Sequence, residues 1–285
     1  MKRFECGTRP YIMGIINITP DSFSGDGVLT QPQADQQALA LAKQFIQDGA
    51  HILDLGAESS RPGSERISVE IELERILPIL TMLKTAGIQA PISIDTYKAE
   101  SARACLENGA DWINDIWGLK MDPDLAGVIA AFKATVVLMH NRSRSQAVSS
   151  LGELGKTYEG AQYSDIMDDI KADLGESVGI AQRAGITDEN IILDPGIGFG
   201  KSMEQNLAII NRLEELKTMG FPILIGPSRK SFIGQVLGLP VDQREEGSAA
   251  AIALGVAHGA DILRVHDVKR MARVAHMSHA IRNAR

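Results

Sequence analysis

The sequence predicts a single (β/α)8 barrel, and three observations carry that prediction. Eight short apolar runs each close on a polar or charged residue. A stretch of helical periodicity follows every run. The chain has 285 residues, a length that one such barrel commonly takes. Active sites of these barrels lie at the C-terminal ends of the strands, so the polar endings are expected to face one pocket and the chain reads as an enzyme.

In order, the runs are IMGIINIT closing near Asn17, HILDLG at Asp54, PISIDT at Asp95, WINDI at Asn114 and TVVLMH at His140. They continue with NIILDPG at Asp194, PILIGPSRK at Lys230 and ILRVHD at His266. Runs such as ILIG, IILD and TVVLM are continuous and β-branched, as parallel strands covered on both faces should be. Between them, residues 34–48, 68–86, 98–108, 122–133, 163–184, 204–219, 244–258 and 268–282 carry apolar residues at helical spacing. Ser68, followed by Glu70 to Glu74, and the pair Asp122-Pro123 are expected helix starts. Three strand-to-helix connections, 20–31, 57–67 and 141–162, are long and rich in Gly, Ser and Pro, which suits lids or binding loops.

Bulk properties narrow the function. No Pro/Ser linker divides the chain, so residues 1–285 are expected to form one domain. No apolar run approaches the roughly 20 residues that span a membrane, and no apolar stretch follows Met1-Lys2-Arg3 to make a signal peptide. Cys6 and Cys105 lack metal-site spacing and are expected to be reduced thiols of a cytoplasmic protein. A net charge of −7 argues against nucleic acid as a partner. Against that balance, Arg61, Arg229, Lys230, Arg264 and His266 gather at strand ends, which points to a small anionic substrate.

The loops NITPDSFSGDG (17–27) and ESSRPGS (58–64), with SIDT, NDIWG, LDPGIGFGKS, SRKSFIG and RVHDV in this order, resemble the dihydropteroate synthase family, the sulfonamide targets of folate biosynthesis. The resemblance runs from about Met13 to Val268 and implies a transferase. Such a transferase joins 4-aminobenzoate to 6-hydroxymethyl-7,8-dihydropterin diphosphate, giving 7,8-dihydropteroate and diphosphate. It implies that Asp95, Asn114, Asp194 and Lys230 hold the pterin, with Ile116, Met139 and Phe199 as walls and Gly226 allowing close approach. Residue types agree: a pterin edge needs acceptors for its N–H groups, and a carboxylate buried without such partners would be costly.

The resemblance further implies that Arg264, His266, Asn17 and the Ser60 hydroxyl receive the diphosphate, and that Asn17 ligates Mg²⁺. Arg264 and His266 lie two apart on one strand, so both face one side. Lys230, Ser231, Arg229, Pro62, Phe23 and Phe199 match aminobenzoate or sulfonamide contacts, and Arg61 lies in the same second loop. Asp95 suits stabilisation of a pterin-methylene cation formed when diphosphate leaves, after which the two early loops close. Family members are commonly homodimers. Departures from the family pattern are Ser59-Ser60 for Ser-Thr, Gly56-Ala57-Glu58 for Gly-Gly-Glu, Pro227, Trp117 and Asn141-Arg142.

Alternative readings of individual motifs are weaker. Gly196 leaves three residues before Gly200-Lys201-Ser202, whereas a phosphate-binding P-loop needs four, so a tight glycine turn beside the pterin is expected instead. His140 and His266 have no third ligand at metal spacing. A corrinoid methyltransferase barrel would share the pterin edge but lack the early loops and SRKSFIG. A non-catalytic pterin-binding barrel would have lost Asn17, Arg264 or Lys230. Asp54 and Asp115 are equally compatible with site roles and with capping the segments that follow.

Overall fold

The computed structural model describes residues 7–19, 34–60, 63–143 and 148–284. Eight strands are where the runs place them: β1 (Tyr11–Asn17), β2 (Ile52–Gly56), β3 (Ile92–Asp95), β4 (Trp112–Asp115) and β5 (Thr135–Met139), then, past a hairpin of β6 (Val148–Ser150) and β7 (Lys156–Tyr158), β8 (Ile191–Asp194), β9 (Leu224–Ile225) and β10 (Ile262–Val265). The eight pair in parallel in the order β8-β5-β4-β3-β2-β1-β10-β9. A parallel bridge between Leu193 and Ile223, with the Leu193 N–H donating to Pro222 O at 2.9 Å, closes β8 onto β9. The chain is a (β/α)8 barrel.

Its core follows from strand alternation. Tyr11, Met13, Ile52, Trp112, Val137, Ile192, Leu224 and Ile262 point inward and fill the barrel as one cluster, with Ser93 as the contribution of β3. Their neighbours Ile12, Ile16, Leu53 and Leu55 point outward and pack on the helices. A slip of one residue would exchange the two sets, so the register is strongly specified.

The helices are α1 (Ala34–Gln47), α2 (Val69–Thr85), α3 (Ala99–Glu107), α4 (Leu125–Phe132), α5 (Ile166–Arg183), α6 (Met203–Asn211), α7 (Ser231–Leu237), α8 (Glu245–Ala257) and α9 (Val268–Asn283). On α2, Ile76, Ile79, Leu80 and Leu83 form the buried stripe, and Ser68 caps the first turn by accepting from Ile71 N–H. Three details differ from the sequence reading. The 204–219 stretch is not one helix: after Asn211 the chain tightens into a 3-10 turn, Leu213–Met219, whose i, i+3 spacing keeps Leu213 and Leu216 buried. Asp122 does not cap its own helix, which begins at Leu125; its carboxylate accepts from Ala99 N–H at 2.7 Å, at the start of α3. The short α7 was not anticipated.

Among the described residues, no helix is long and apolar enough to cross a membrane.

Candidate active site

The alternation that fills the barrel also builds its mouth. Two residues beyond the interior cluster, seven of the eight strands present a residue of the mouth: Asp54 above Ile52, Asp95 above Ser93, Asn114 above Trp112 and Met139 above Val137. Asp194, Gly226 and Arg264 stand likewise above Ile192, Leu224 and Ile262. Asp95, Asn114, Met139, Asp194, Gly226 and Arg264 line a cavity of about 340 Å³. Ser60, Ile116, Ile197, Phe199 and Lys230, from the loops above, complete it. Ten of the residues singled out in the sequence thus meet in one place. Ile197 was missed, although its place in the glycine turn was a usable signal.

Charge is tightly organised below this cavity. Arg264 Nε donates to Asp54 Oδ2 at 2.6 Å and its Nη2 to Asp95 Oδ2 at 2.7 Å. Asp54 is fully buried and also takes Asn114 Nδ2 at 3.3 Å, while Asp54 Oδ1 and Ser93 Oγ, in register on β2 and β3, have no protein partner. Asp54 is therefore an internal counterion, a role its sequence context left open. Burial pushes the Asp95 carboxyl up to about 7, with Arg264 pulling it down and Asp54 pushing it further up. Burial opposes the charge of Arg264, but Asp54 and Asp95 outweigh it and hold the guanidinium protonated. Burial likewise brings Lys230 down to about 8, helped by Arg264.

Asp194 is pushed up to about 6 by burial, against the pull of the Gly196 N–H, which donates to its Oδ1 at 2.7 Å. Asp115 takes the capping alternative. It follows Asn114 and so faces the other way, and its carboxylate accepts from the backbone N–H groups of Trp117 and Leu119.

The segment after β8 is the glycine turn expected from the sequence. Gly196 adopts φ +69°, and a Cβ there would lie 1.9 Å from His140 O, so only glycine fits. Lys201 does not face an anion. It is buried, donating to Gly196 O and Phe199 O at 2.9 Å and lying 2.9 Å from His140 Nδ1. His140 in turn sits 3.0 Å from Asp173, which Arg142 engages at 2.7 Å. The lysine of the false P-loop therefore tethers the turn that carries Ile197 and Phe199. Phe199 faces Lys230, whose Nζ is 4.0 Å from the ring centroid. Asn141 Nδ2 donates to Ile116 O at 3.0 Å and fixes that wall.

Other expected residues lie around the rim. Asn17 ends β1, opposite Gly56. His266 lies one residue past β10, its Nδ1 3.1 Å from Ser228 Oγ, and it does not line the cavity. Ser231 opens α7 and its Oγ is 3.2 Å from Thr157 Oγ1. Arg229 takes a left-handed conformation, φ 58°, with its guanidinium 3.8 Å from Glu245. Phe23, Arg61 and Pro62 lie outside the described residues. The second loop is anchored by Glu58, which accepts from Ile67 N–H, Tyr97 OH and Lys98 Nζ.

A barrel whose mouth gathers acceptors, an amide and buried cations, with apolar side chains among them, around one cavity defines a class, the pterin-binding barrel enzymes. The profile of the pterin binding enzyme family matches residues 13–266. A dihydropteroate synthase of Bacillus subtilis is 46% identical, with 95% of this chain and 88% of that protein covered. One of Clostridium beijerinckii is 47% identical, over 98% and 97%. The crystal structure of a Clostridium difficile dihydropteroate synthase with pteroic acid superposes with TM-score 0.87 at 43% identity, covering 98% of both chains. That of the Xanthomonas albilineans enzyme with 4-aminobenzoic acid gives 0.85 at 36%, over 98% of this chain and 95% of that one. The chain belongs to the dihydropteroate synthase family.

Proposed function

We propose that this barrel, as one domain, condenses 6-hydroxymethyl-7,8-dihydropterin diphosphate with 4-aminobenzoate, giving 7,8-dihydropteroate and diphosphate in folate biosynthesis. The protein is a transferase. The observation that carries the chemistry is the Asp54–Arg264–Asp95 array beneath a cavity also lined by Asn114, Asp194 and Lys230. The cavity's lining sets a few convergent polar groups among apolar side chains, the pattern that suits one heteroaromatic ring. Asp194, with Oδ1 already satisfied by Gly196, offers Oδ2 to the N–H groups of a guanine-like edge, and Asn114 adds an amide. Lys230 donates to a ring acceptor. Ile116, Met139, Ile197 and Phe199 pack the ring faces.

In the reaction the C–O bond to diphosphate breaks and its electron pair leaves with the diphosphate. Positive charge develops on the pterin methylene, where the Asp95 carboxylate stabilises it. The arylamine lone pair then forms the C–N bond and the nitrogen releases a proton. Arg264, His266 and the Ser60 hydroxyl supply positive charge and donors for the departing anion, while the arylamine is assigned to Ser231 and Arg229 and, from the family motifs alone, to Arg61, Pro62 and Phe23.

Mg²⁺ fits the donor set. The Asn17 amide, a hard oxygen ligand facing the mouth, has no hydrogen bond among the described residues, which also hold no cluster of three acidic, histidine or cysteine ligands. Asn17 would hold the ion together with diphosphate oxygens and water, a usual arrangement for magnesium. When bound, it neutralises charge on the leaving group.

Leu254 on α8, with Met277 and Ile281 one turn apart on α9, leaves an apolar face more than half exposed, which a second copy covers in a homodimer. Cys105, buried and free, suits the reducing cytoplasm. The test is incubation of the protein with the pterin diphosphate, 4-aminobenzoate and Mg²⁺. Dihydropteroate is the expected product, and diphosphate release without it would refute the assignment.

A further inference from the structure

The third long connection, 141–162, folds back as the antiparallel hairpin β6–β7, and the three residues of β7 reach three different walls of the mouth. A Cβ on Gly63, in the second loop, would lie 3.4 Å from Lys156 Nζ. Thr157 Oγ1 lies 3.2 Å from Ser231 Oγ, at the start of α7. Tyr158 OH donates to Ser60 O at 3.2 Å, and its ring stacks on Phe199, with centroids 6.1 Å apart and planes inclined by 27°. The hairpin is secured at its tip by the buried Arg244, which donates to Leu154 O and Arg229 O at 2.9 and 3.1 Å.

Ser60 and Phe199 both line the cavity, whereas Tyr158 stands outside it. With a pterin ring on the strand-end residues Asp95, Asn114 and Asp194, the arylamine reaches it from the loop side of the cavity, which Ser60 of the second loop and Phe199 border. One phenol joins those two borders.

We propose that Tyr158 is a positioning residue for the arylamine substrate, holding the second loop at Ser60 and the Phe199 ring at a fixed separation across the mouth. The proposal rests on the function assigned above. Its hydroxyl sets the loop and its ring sets Phe199, so the two contributions can be separated by substitution.

The experiment is steady-state kinetics of Tyr158→Phe and Tyr158→Leu, with calorimetry of pterin binding and thermal unfolding in parallel. Tyr158→Phe removes only the bond to Ser60 O and should raise KM for 4-aminobenzoate roughly fivefold, the worth of one neutral hydrogen bond. Tyr158→Leu should raise it further. Pterin affinity, KM for the pterin diphosphate and the unfolding midpoint of the Phe variant should match the parent protein. With an active parent, an unchanged KM for 4-aminobenzoate in the Phe variant, or an equal change for both substrates, overturns the role of Tyr158 alone. A parent protein that makes no dihydropteroate overturns the functional reading and this role together.

Discussion

Methionine in place of Arg264 removes the cation between two carboxylates while keeping much of the side chain's bulk. The guanidinium makes bonds of 2.6 and 2.7 Å to Asp54 and Asp95, and Asp54 has no solvent exposure. Without Arg264, Asp54 keeps only Asn114 Nδ2 at 3.3 Å. Breaking a buried pair from one side costs about 3–5 kcal/mol, because the charge left behind is uncompensated. At roughly 2 °C per kcal/mol for a chain of this size, the unfolding midpoint of Arg264→Met should fall by roughly 6–10 °C. Adding Asp54→Asn removes the stranded charge and should restore more than half of that loss. The assay is a double-mutant cycle in thermal and denaturant unfolding at neutral pH. Arg264→Met as stable as the parent, or a double variant that loses the sum of the singles, would refute the ion network as the organiser of the floor.

Asp95→Asn should lower kcat by on the order of 10²–10³-fold with less than a tenfold change in pterin affinity, because the carboxylate's charge matters most once the methylene becomes cationic; equal losses in steady-state and calorimetric measurements would remove that role. With Asp95 lifted to about 7 and Lys230 lowered to about 8, kcat/KM for the pterin diphosphate should fall as pH drops through 7 and again as it rises through 8, and Asp95→Asn should lose the acid limb. Stability of the ligand-free protein should show the reverse shape. The contribution of Asp194, raised from the usual 3.8 to about 6, is full below 3.8 and is lost as pH rises through 6. That of Lys201, lowered from 10.5 to about 7, is full above 10.5 and is lost as pH falls through 7. Unfolding free energies across pH should therefore dip near neutrality, and Asp194→Asn should flatten the acid side. Gly196→Ala should abolish pterin binding or folding, since its Cβ would strike His140 O, whereas Gly238→Ala, also at positive φ but in open space, should lose only about 1–3 kcal/mol in denaturant unfolding.

The fold was legible because each buried strand is a continuous apolar run and each ends on an inward polar side chain. The alternation of period two then placed Asp95, Asn114, Asp194 and Arg264 together. Neighbouring carboxylates were harder. Asn114 and Asp115 differ only in parity, and it takes the register to send one inward and the other to the Trp117 and Leu119 amides. Segment length hid the rest: α7 has seven residues, while β6 and β7 have three each, too few for any periodicity to emerge. Tyr158 gave no local signal, because its partners Ser60 and Phe199 are distant in sequence. Lys201 was correctly set aside as a phosphate ligand, but its actual partners, two carbonyls and a buried imidazole, are tertiary facts.

The coupling of Arg264 to Asp54 and Asp95, and of Lys201 to His140 and the glycine turn, has a consequence for how this sequence can change over generations. Arg264 and Asp95 line the cavity and also neutralise each other, and Lys201 tethers the turn that carries Phe199, so a substitution at any of them harms folding together with catalysis and is removed by selection on either ground. The segments over the mouth carry no such double duty: Lys156, Thr157 and Tyr158 touch other loops and leave the barrel's ion pairs intact. Heritable variation that alters discrimination between the natural arylamine and its competitors should therefore accumulate in the hairpin, while the ion-paired residues of the chamber stay fixed.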